Sequence, residues 1–260
     1  MKLGIIASAE AASFQLAKDK GLEFLEFCIN IGSDLDAFTN QIPELKAASE
    51  QTGVKVGSVG RWGSDRISKE GIVEEELQIS YRLIDAAAEL GCANFVCGVN
   101  KVEELSYYEN VSFAIDYFRK LINYGAAKGV VISSYNCDWN NFVKDDMAWT
   151  LIHGYLPELG IKFDPSHSRY AGRDYLLEAR KWGGRFQHVH IKGSVIIDGQ
   201  RFDDPPAGLD QTDWGTFMAI LYGNGYNAGL SIEPHSHVWN GELGDKGVQF
   251  TIGYIRSMMF

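Results

Sequence analysis

Three apolar runs in the second half of the chain end on residues able to ligate a metal or move a proton. They read Phe163-Asp164-Pro165-Ser166-His167, His188-Val189-His190-Ile191-Lys192 and Ser231-Ile232-Glu233-Pro234-His235. Side chains alternate along a strand, so His188, His190 and Lys192 share one face while Val189 and Ile191 take the other. An Asp, a His and a Glu brought to one point form a donor set for a divalent ion, and an imidazole or carboxylate beside it can take a proton. Each residue also has a plainer use. Asp164 and His167 are spaced as a helix cap or turn would space them. Glu233 closes an apolar run, where an unpaired carboxylate is costly, and a salt bridge to Lys192 or Arg61 would also satisfy it. His190 lies nearer the strand end than His188. His188 is read as a proton carrier, a residue orienting a ligand, or barrel filling. Lys192 offers a cation to a substrate oxygen, or is a solvated loop lysine.

The elements that must deliver these residues repeat along the chain. A glycine closes a helical pattern just before an apolar run at Gly21, Gly53, Gly91, Gly129, Gly160 and Gly225, and Gly183-Gly184 punctuates the last gap. Glycine takes the left-handed conformation that ends helices. Strands are predicted at Leu3–Ala7, Phe24–Cys28, Lys55–Val59, Phe95–Cys97, Val130–Ser134, Ile161–Asp164, His188–Ile191 and Leu230–Glu233, with Ile72–Leu90 and Ser112–Lys128 the clearest helices. Eight strand–helix units in 260 residues predict an α/β fold, a single-domain (βα)8 TIM barrel over residues 1–260. In such a barrel the C-terminal strand ends converge, so Asp164, His190 and Glu233 should meet. Glu26, Arg61 and Trp62, at the ends of the second and third strands, should reach the same mouth. The loop carrying His235, His237 and Trp239 suits sugar recognition. Gly199–Asp213, with Pro205-Pro206, is expected to be an extended loop on that face.

Bulk properties narrow the partners. The formal net charge of −10 disfavours nucleic acid. No apolar run is long enough to span a membrane. The start, Met1-Lys2-Leu3-Gly4-Ile5-Ile6-Ala7, loosely imitates a signal peptide, but a first barrel strand explains it better and a cytoplasmic location is expected, with a trimmed export signal left open. Cys28, Cys92, Cys97 and Cys137 form no CxxC pair and are expected to be reduced structural thiols. A homo-oligomer is left open.

Together, Asp-x-x-His, His-x-His-x-Lys, Asp213-Trp214 and Gly225-Tyr226 leading into Leu230-Ser231-Ile232-Glu233-Pro234-His235 resemble the xylose isomerase-like TIM barrels. This sugar phosphate isomerase/epimerase family includes ketose 3-epimerases, inosose dehydratases and apurinic-site endonucleases. The resemblance covers nearly the whole chain. It implies one divalent metal ion (Mn, Co, Mg or Zn) held by Asp164, His190 and Glu233, plus a strand-five carboxylate. Strand five instead reads Ser134-Tyr135-Asn136-Cys137, which puts Asn136 or Tyr135 in that place. Asn136 could give an amide oxygen to the metal, and Tyr135 would face substrate. The resemblance further implies a sugar, sugar phosphate or polyol substrate, isomerised or epimerised through an enediolate. Glu233, His167 or His188 would move the proton, and Glu26, Arg61, Trp62, Tyr135, Lys192 and His235 would bind the substrate. The missing carboxylate favours a one-base lyase or dehydratase on a keto-sugar or keto-glycoside. A non-catalytic sugar-binding barrel is the reading from another class.

Overall fold

The computed structural model describes every residue, Met1–Phe260. Eight parallel strands close into a barrel: β1 Lys2–Ile6, β2 Phe24–Cys28, β3 Lys55–Arg61, β4 Asn94–Cys97, β5 Val131–Tyr135, β6 Gly160–Phe163, β7 Phe186–Ile191 and β8 Gly229–Ile232. They pair in chain order, and β8 closes on β1 with Leu3 opposite Leu230. Helices run between them on the outside. The alternation of side chains explains the layering. Leu25, Phe27, Ile161, Phe163, Val189, Ile191, Leu230 and Ile232 join the apolar core between barrel and helices. The alternate residues Glu26, Lys162, His188, His190 and Ser231 are buried outside that core, on the opposite strand face. The barrel floor is filled by Phe24. A Cβ on Gly4, Gly57 or Gly229 would fall 2.5, 2.4 or 2.9 Å from its ring, so three neighbouring strands need glycine there. The ring packs edge-on against His188, 5.8 Å between centroids.

Two irregularities lie beside the residues of interest. The β2–β3 register slips between Leu25 and Glu26, and the β6–β7 register between Ile161 and Lys162. An extra residue in one strand re-aims the side chains next to it. Element positions otherwise follow the sequence with small shifts. The helix expected at Ser112–Lys128 is Tyr107–Ala126, because Ser106 and Glu109 form a reciprocal capping box that starts it earlier. Glu233 falls just past β8, its N–H still bonded to Ile191 O at 3.1 Å. Gly199–Asp213 is not wholly extended loop. Val195–Ile197 pairs antiparallel with Gln200–Asp203 across Asp198-Gly199, both at positive φ (50° and 72°), as a tight two-residue hairpin requires. No helix is long and apolar enough to cross a membrane.

One buried histidine ties helix to barrel. His153, on the helix Asp146–Tyr155, lies 3.1 Å from Leu159 O through Nδ1 and 3.0 Å from Ser134 Oγ through Nε2. Nδ1 therefore donates and Nε2 accepts, which is the neutral ring. Burial lowers its pKa to about 4. The unfolded chain takes up this proton below about pH 6.5 and the folded chain does not, so stability is full above that pH and falls towards pH 4. His167 and His188, also lowered, act in the same sense. Thermal melts from pH 7 to 5 should show falling stability, with His153 contributing about 2 kcal/mol between pH 6.5 and 5. His153→Gln should flatten that slope whatever its absolute Tm, and an unchanged slope would remove His153 from the account.

Candidate functional site

The carboxylate of Asp164 does two jobs. It is the N-cap of the helix Pro165–Tyr170, where Oδ1 accepts from the Ser166 N–H at 2.9 Å. Oδ2 is fully buried and makes no hydrogen bond, although Lys192 Nζ lies 3.1 Å away in poor alignment. His190 is gripped at both ring nitrogens. Nε2 lies 2.9 Å from Glu26 Oε2, and Nδ1 lies 2.7 Å from Glu233 Oε2 and 3.7 Å from Asp164 Oδ2. Asp164, His190 and Glu233 thus present one donor atom each within 4.8 Å of one another. Glu233 Oε1 makes no hydrogen bond, and Glu233 lines the cavity.

Electrostatics keep these carboxylates ionised. Burial raises the pKa of Asp164, but the nearby Lys192, His167 and His190 outweigh it and hold the carboxyl well below its usual range. Glu233 is lowered in the same way, against burial, by Lys192 and His190. Burial alone would lower His190; Glu26, the nearby Asp164 carboxylate and the bond to Glu233 instead raise it to about 10. Lys192 is raised despite burial by Asp164 and Glu233. Its ammonium also lies 3.3 Å from Glu233 Oε2 and 3.1 Å from His167 Nε2. His167, buried and beside Lys192, is lowered to about 3 and is therefore neutral at pH 7.

A divalent ion fits this donor set. Asp164 Oδ2 is an orphaned buried acceptor, and Glu26 on His190 Nε2 leaves Nδ1 aimed at both carboxylates. That carboxylate–imidazole arrangement commonly orients a metal-bound histidine. Three protein donors are typical of a metal site that keeps a position for substrate. Lys192 lies close to the same two oxygens and would compete for them. A second cluster, Glu26 with His188 and His190, is buried and hydrogen-bonded internally, and Glu26 and His188 do not line the cavity.

The other sequence candidates divide. A cavity of about 530 Å³ opens at the C-terminal end of the barrel, within the usual size of a small-molecule site. Trp62, His167, Lys192, Glu233 and His235 line it, together with Trp139, Tyr170 and Arg201. Five assignments need correction. Asn136 is not available to a metal: Oδ1 accepts from Asp164 N at 2.9 Å, and Nδ2 donates to Asp164 O at 2.8 Å and Ser168 Oγ at 3.2 Å. Tyr135 does not face substrate, since it stacks behind Trp62 at 5.2 Å and donates its hydroxyl to Trp139 O. Arg61 spends its guanidinium on Glu76, Ile29 O and Asn30 O, bracing the loop after β2. Glu26 and His188 bond to each other at 2.7 Å below the mouth, so neither touches substrate.

The sequence reading missed Lys162, a lysine inside the apolar run Gly160-Ile161-Lys162-Phe163 that lines the cavity. It also missed Asp204. The buried carboxylate of Asp204 bonds to Tyr170 and Arg201 and lies 2.8 Å from His235 Nδ1, fixing three lining residues at the rim. Nothing in the spacing of Asp204 marks it, because its partners come from a helix end, a hairpin strand and the loop after β8.

The sequence profile of the xylose isomerase-like TIM barrel family matches residues 14–257. The protein YfiH of Bacillus subtilis (strain 168), itself uncharacterized, is 24% identical over 164 residues, 55% of this chain and 52% of YfiH, so the match spans about half of that relative. Among solved structures, D-psicose 3-epimerase of Clostridium cellulolyticum H10, crystallised with D-tagatose, superposes with a TM-score of 0.82 at 15% identity, covering 100% of this chain and 99% of that one. The 3-keto-D-glucoside 4-epimerase YcjR of E. coli gives 0.75 at 20% identity, covering 99% of both. At these identities the superpositions establish the fold.

The geometry of Asn136 makes it a clamp between β5 and β6. Asn136→Ala should lower stability by about 2–4 kcal/mol by leaving buried Asp164 backbone groups unpaired. Asn136→Glu should not tighten Mn²⁺ binding measured by calorimetry. Tighter binding by the Glu variant with stability intact would return the residue to the metal site.

Proposed function

Because the chain belongs to the xylose isomerase-like TIM barrel family, we propose that it is an isomerase- or epimerase-type enzyme moving a proton beside the carbonyl of a small sugar. The observation that carries this is Glu233: Oε2 is fixed by His190 and Lys192, while Oε1 is free at the cavity. A fixed carboxylate with one open oxygen is what a general base beside a carbonyl needs. Asp164 Oδ2, His190 Nδ1 and Glu233 Oε2 would hold one divalent ion, which would replace the proton that His190 Nδ1 shares with Glu233 Oε2 and leave Oε1 open. When bound, such an ion supplies Lewis-acid polarisation of a carbonyl oxygen.

The chain's own residues do the rest. Glu233 takes the proton from the carbon next to the carbonyl. Lys192 keeps Asp164 and Glu233 anionic and hydrogen-bonds His167, so it positions rather than reacts. Neutral His167, whose Nε2 accepts from Lys192, faces the substrate with its Nδ1–H as a hydrogen-bond donor, and it becomes a candidate second base only where Lys192 releases Nε2. Trp62, backed by Tyr135, and Trp139 form an aromatic wall for the sugar, and Arg201 and His235 close the rim. The commitment of Asn136 to the β6 backbone favours a second reading, a one-base dehydratase on a keto-sugar or keto-glycoside. Both readings begin with the same proton abstraction. The overall charge disfavours nucleic acid as substrate.

The test is deuterium exchange. Protein loaded with Mn²⁺ is incubated in deuterated water with D-fructose, D-tagatose, D-allulose or a 3-keto-D-glucoside and followed by NMR. At least one sugar should exchange a carbon-bound proton, and EDTA should stop the exchange. Glu233→Gln should slow it by roughly 10²–10⁴-fold with the fold retained. Accumulation of the inverted sugar would identify an epimerase with a second base; single-face exchange followed by loss of water would identify the dehydratase. No exchange with any of these sugars would contradict proton transfer as the activity.

A further inference from the structure

Lys162 is a buried lysine at the cavity whose ammonium has no hydrogen-bond partner in the protein. It sits on β6 two residues before Asp164, opposite His188 of β7 and beside Tyr135 of β5. Its side chain is 2% exposed, yet its ammonium donates no hydrogen bond to any protein atom. The nearest carboxylate oxygen, Asp164 Oδ2, is 4.0 Å away and lies closer to Lys192, at 3.1 Å. An ammonium carries three donors and no acceptor, and removing it from water without partners is expensive. Strand alternation puts this side chain on the face opposite Ile161 and Phe163, and Lys162 lines the same cavity as Glu233 and His167.

We propose that Lys162 is a substrate-binding residue whose ammonium donates to an oxygen that becomes negative during the reaction, on the side of the site where strand five supplies no carboxylate. The choice of ligand rests on the proton-transfer reading above. As the carbon–hydrogen bond breaks, its proton passes to Glu233 and its electron pair moves into the carbonyl, leaving the charge on oxygen. A cation already in place there stabilises that charge without reorganising. The free donors of Lys162 find in such an oxygen the partner the protein denies them.

The experiment uses glycolohydroxamate, a small mimic of an enediolate, titrated by calorimetry into the protein as purified. Lys162→Met should bind it about 10- to 100-fold more weakly than wild type, the worth of a hydrogen bond to a charged group. Its Tm should equal or exceed that of wild type, since the change removes an unsatisfied buried charge. Lys162→Gln, polar and similar in length, repeats the measurement should Met disturb the fold. Equal binding in these variants, or no binding by wild type, overturns the proposal. A Tm several degrees below wild type does so too, because it marks Lys162 as a structural partner of Asp164. Sugar exchange separates this idea from the activity it rests on. Exchange that persists unchanged in Lys162→Met defeats Lys162 and leaves the activity. Weakened hydroxamate binding without exchange of any sugar by wild type defeats the activity and leaves Lys162 as an anion-binding residue.

Discussion

The grip of two carboxylates on the ring of His190 is the interaction on which the site depends. Glu26 reaches it from β2 at 2.9 Å and Glu233 from the end of β8 at 2.7 Å, with His188 bonded beneath Glu26 at 2.7 Å. The chain Glu233–His190–Glu26–His188 runs from the mouth towards the barrel floor, where Phe24 packs on His188. It fixes the rotation of His190, and hence the direction of Nδ1, from the neighbouring β8 and from β2 across the barrel. A fully buried carboxylate such as Glu26 persists only because two imidazoles satisfy it. Loss of Glu26 would therefore disturb the ligand set without touching the cavity.

Charge compensation explains the composition of the surrounding layer. Glu26, Asp164 and Glu233 would repel one another if left alone in a medium of low dielectric. Lys192 bridges two of them, and His190 answers the third together with Glu233. The same arithmetic accounts for the opposite pKa directions of neighbours: His190 is raised by carboxylates on both sides, while His167 is lowered by burial and the Lys192 ammonium. One barrel layer thus holds an ionised carboxylate and a neutral imidazole side by side, the separation that the proposed proton transfer would use.

The fold was legible because it rests on local periodicity, and the same periodicity singled out Asp164, His190 and Glu233 as candidates. The alternation in His188–Lys192 and the residues at the ends of β6 and β8 are read directly from spacing, and barrel closure brings them together. What sequence could not show is which polar atoms were already spent. Asn136 looked like a substitute ligand, but its amide is used on the Asp164 backbone. Arg61 and Glu26 stand at strand ends yet turn to Glu76 and the two histidines. Lys162 was hidden by the opposite problem, since a lysine inside an apolar strand reads as an interruption until the barrel shows that its face is the interior. The Asp198-Gly199 hairpin carried a local signal that went unread. Asp204 carried none, its partners Tyr170, Arg201 and His235 lying on separate segments.

The central claim is that Asp164, His190 and Glu233 form one divalent-ion site held in register by Glu26. Anomalous diffraction from crystals grown with Mn²⁺ tests it most directly. The account predicts a single strong peak at the barrel mouth, about 2.0–2.2 Å from Asp164 Oδ2, His190 Nδ1 and a Glu233 oxygen, with Glu26 still on His190 Nε2 and Asn136 still on the Asp164 backbone. No peak there at saturating Mn²⁺, with the Lys192 ammonium still beside both carboxylates, would contradict it.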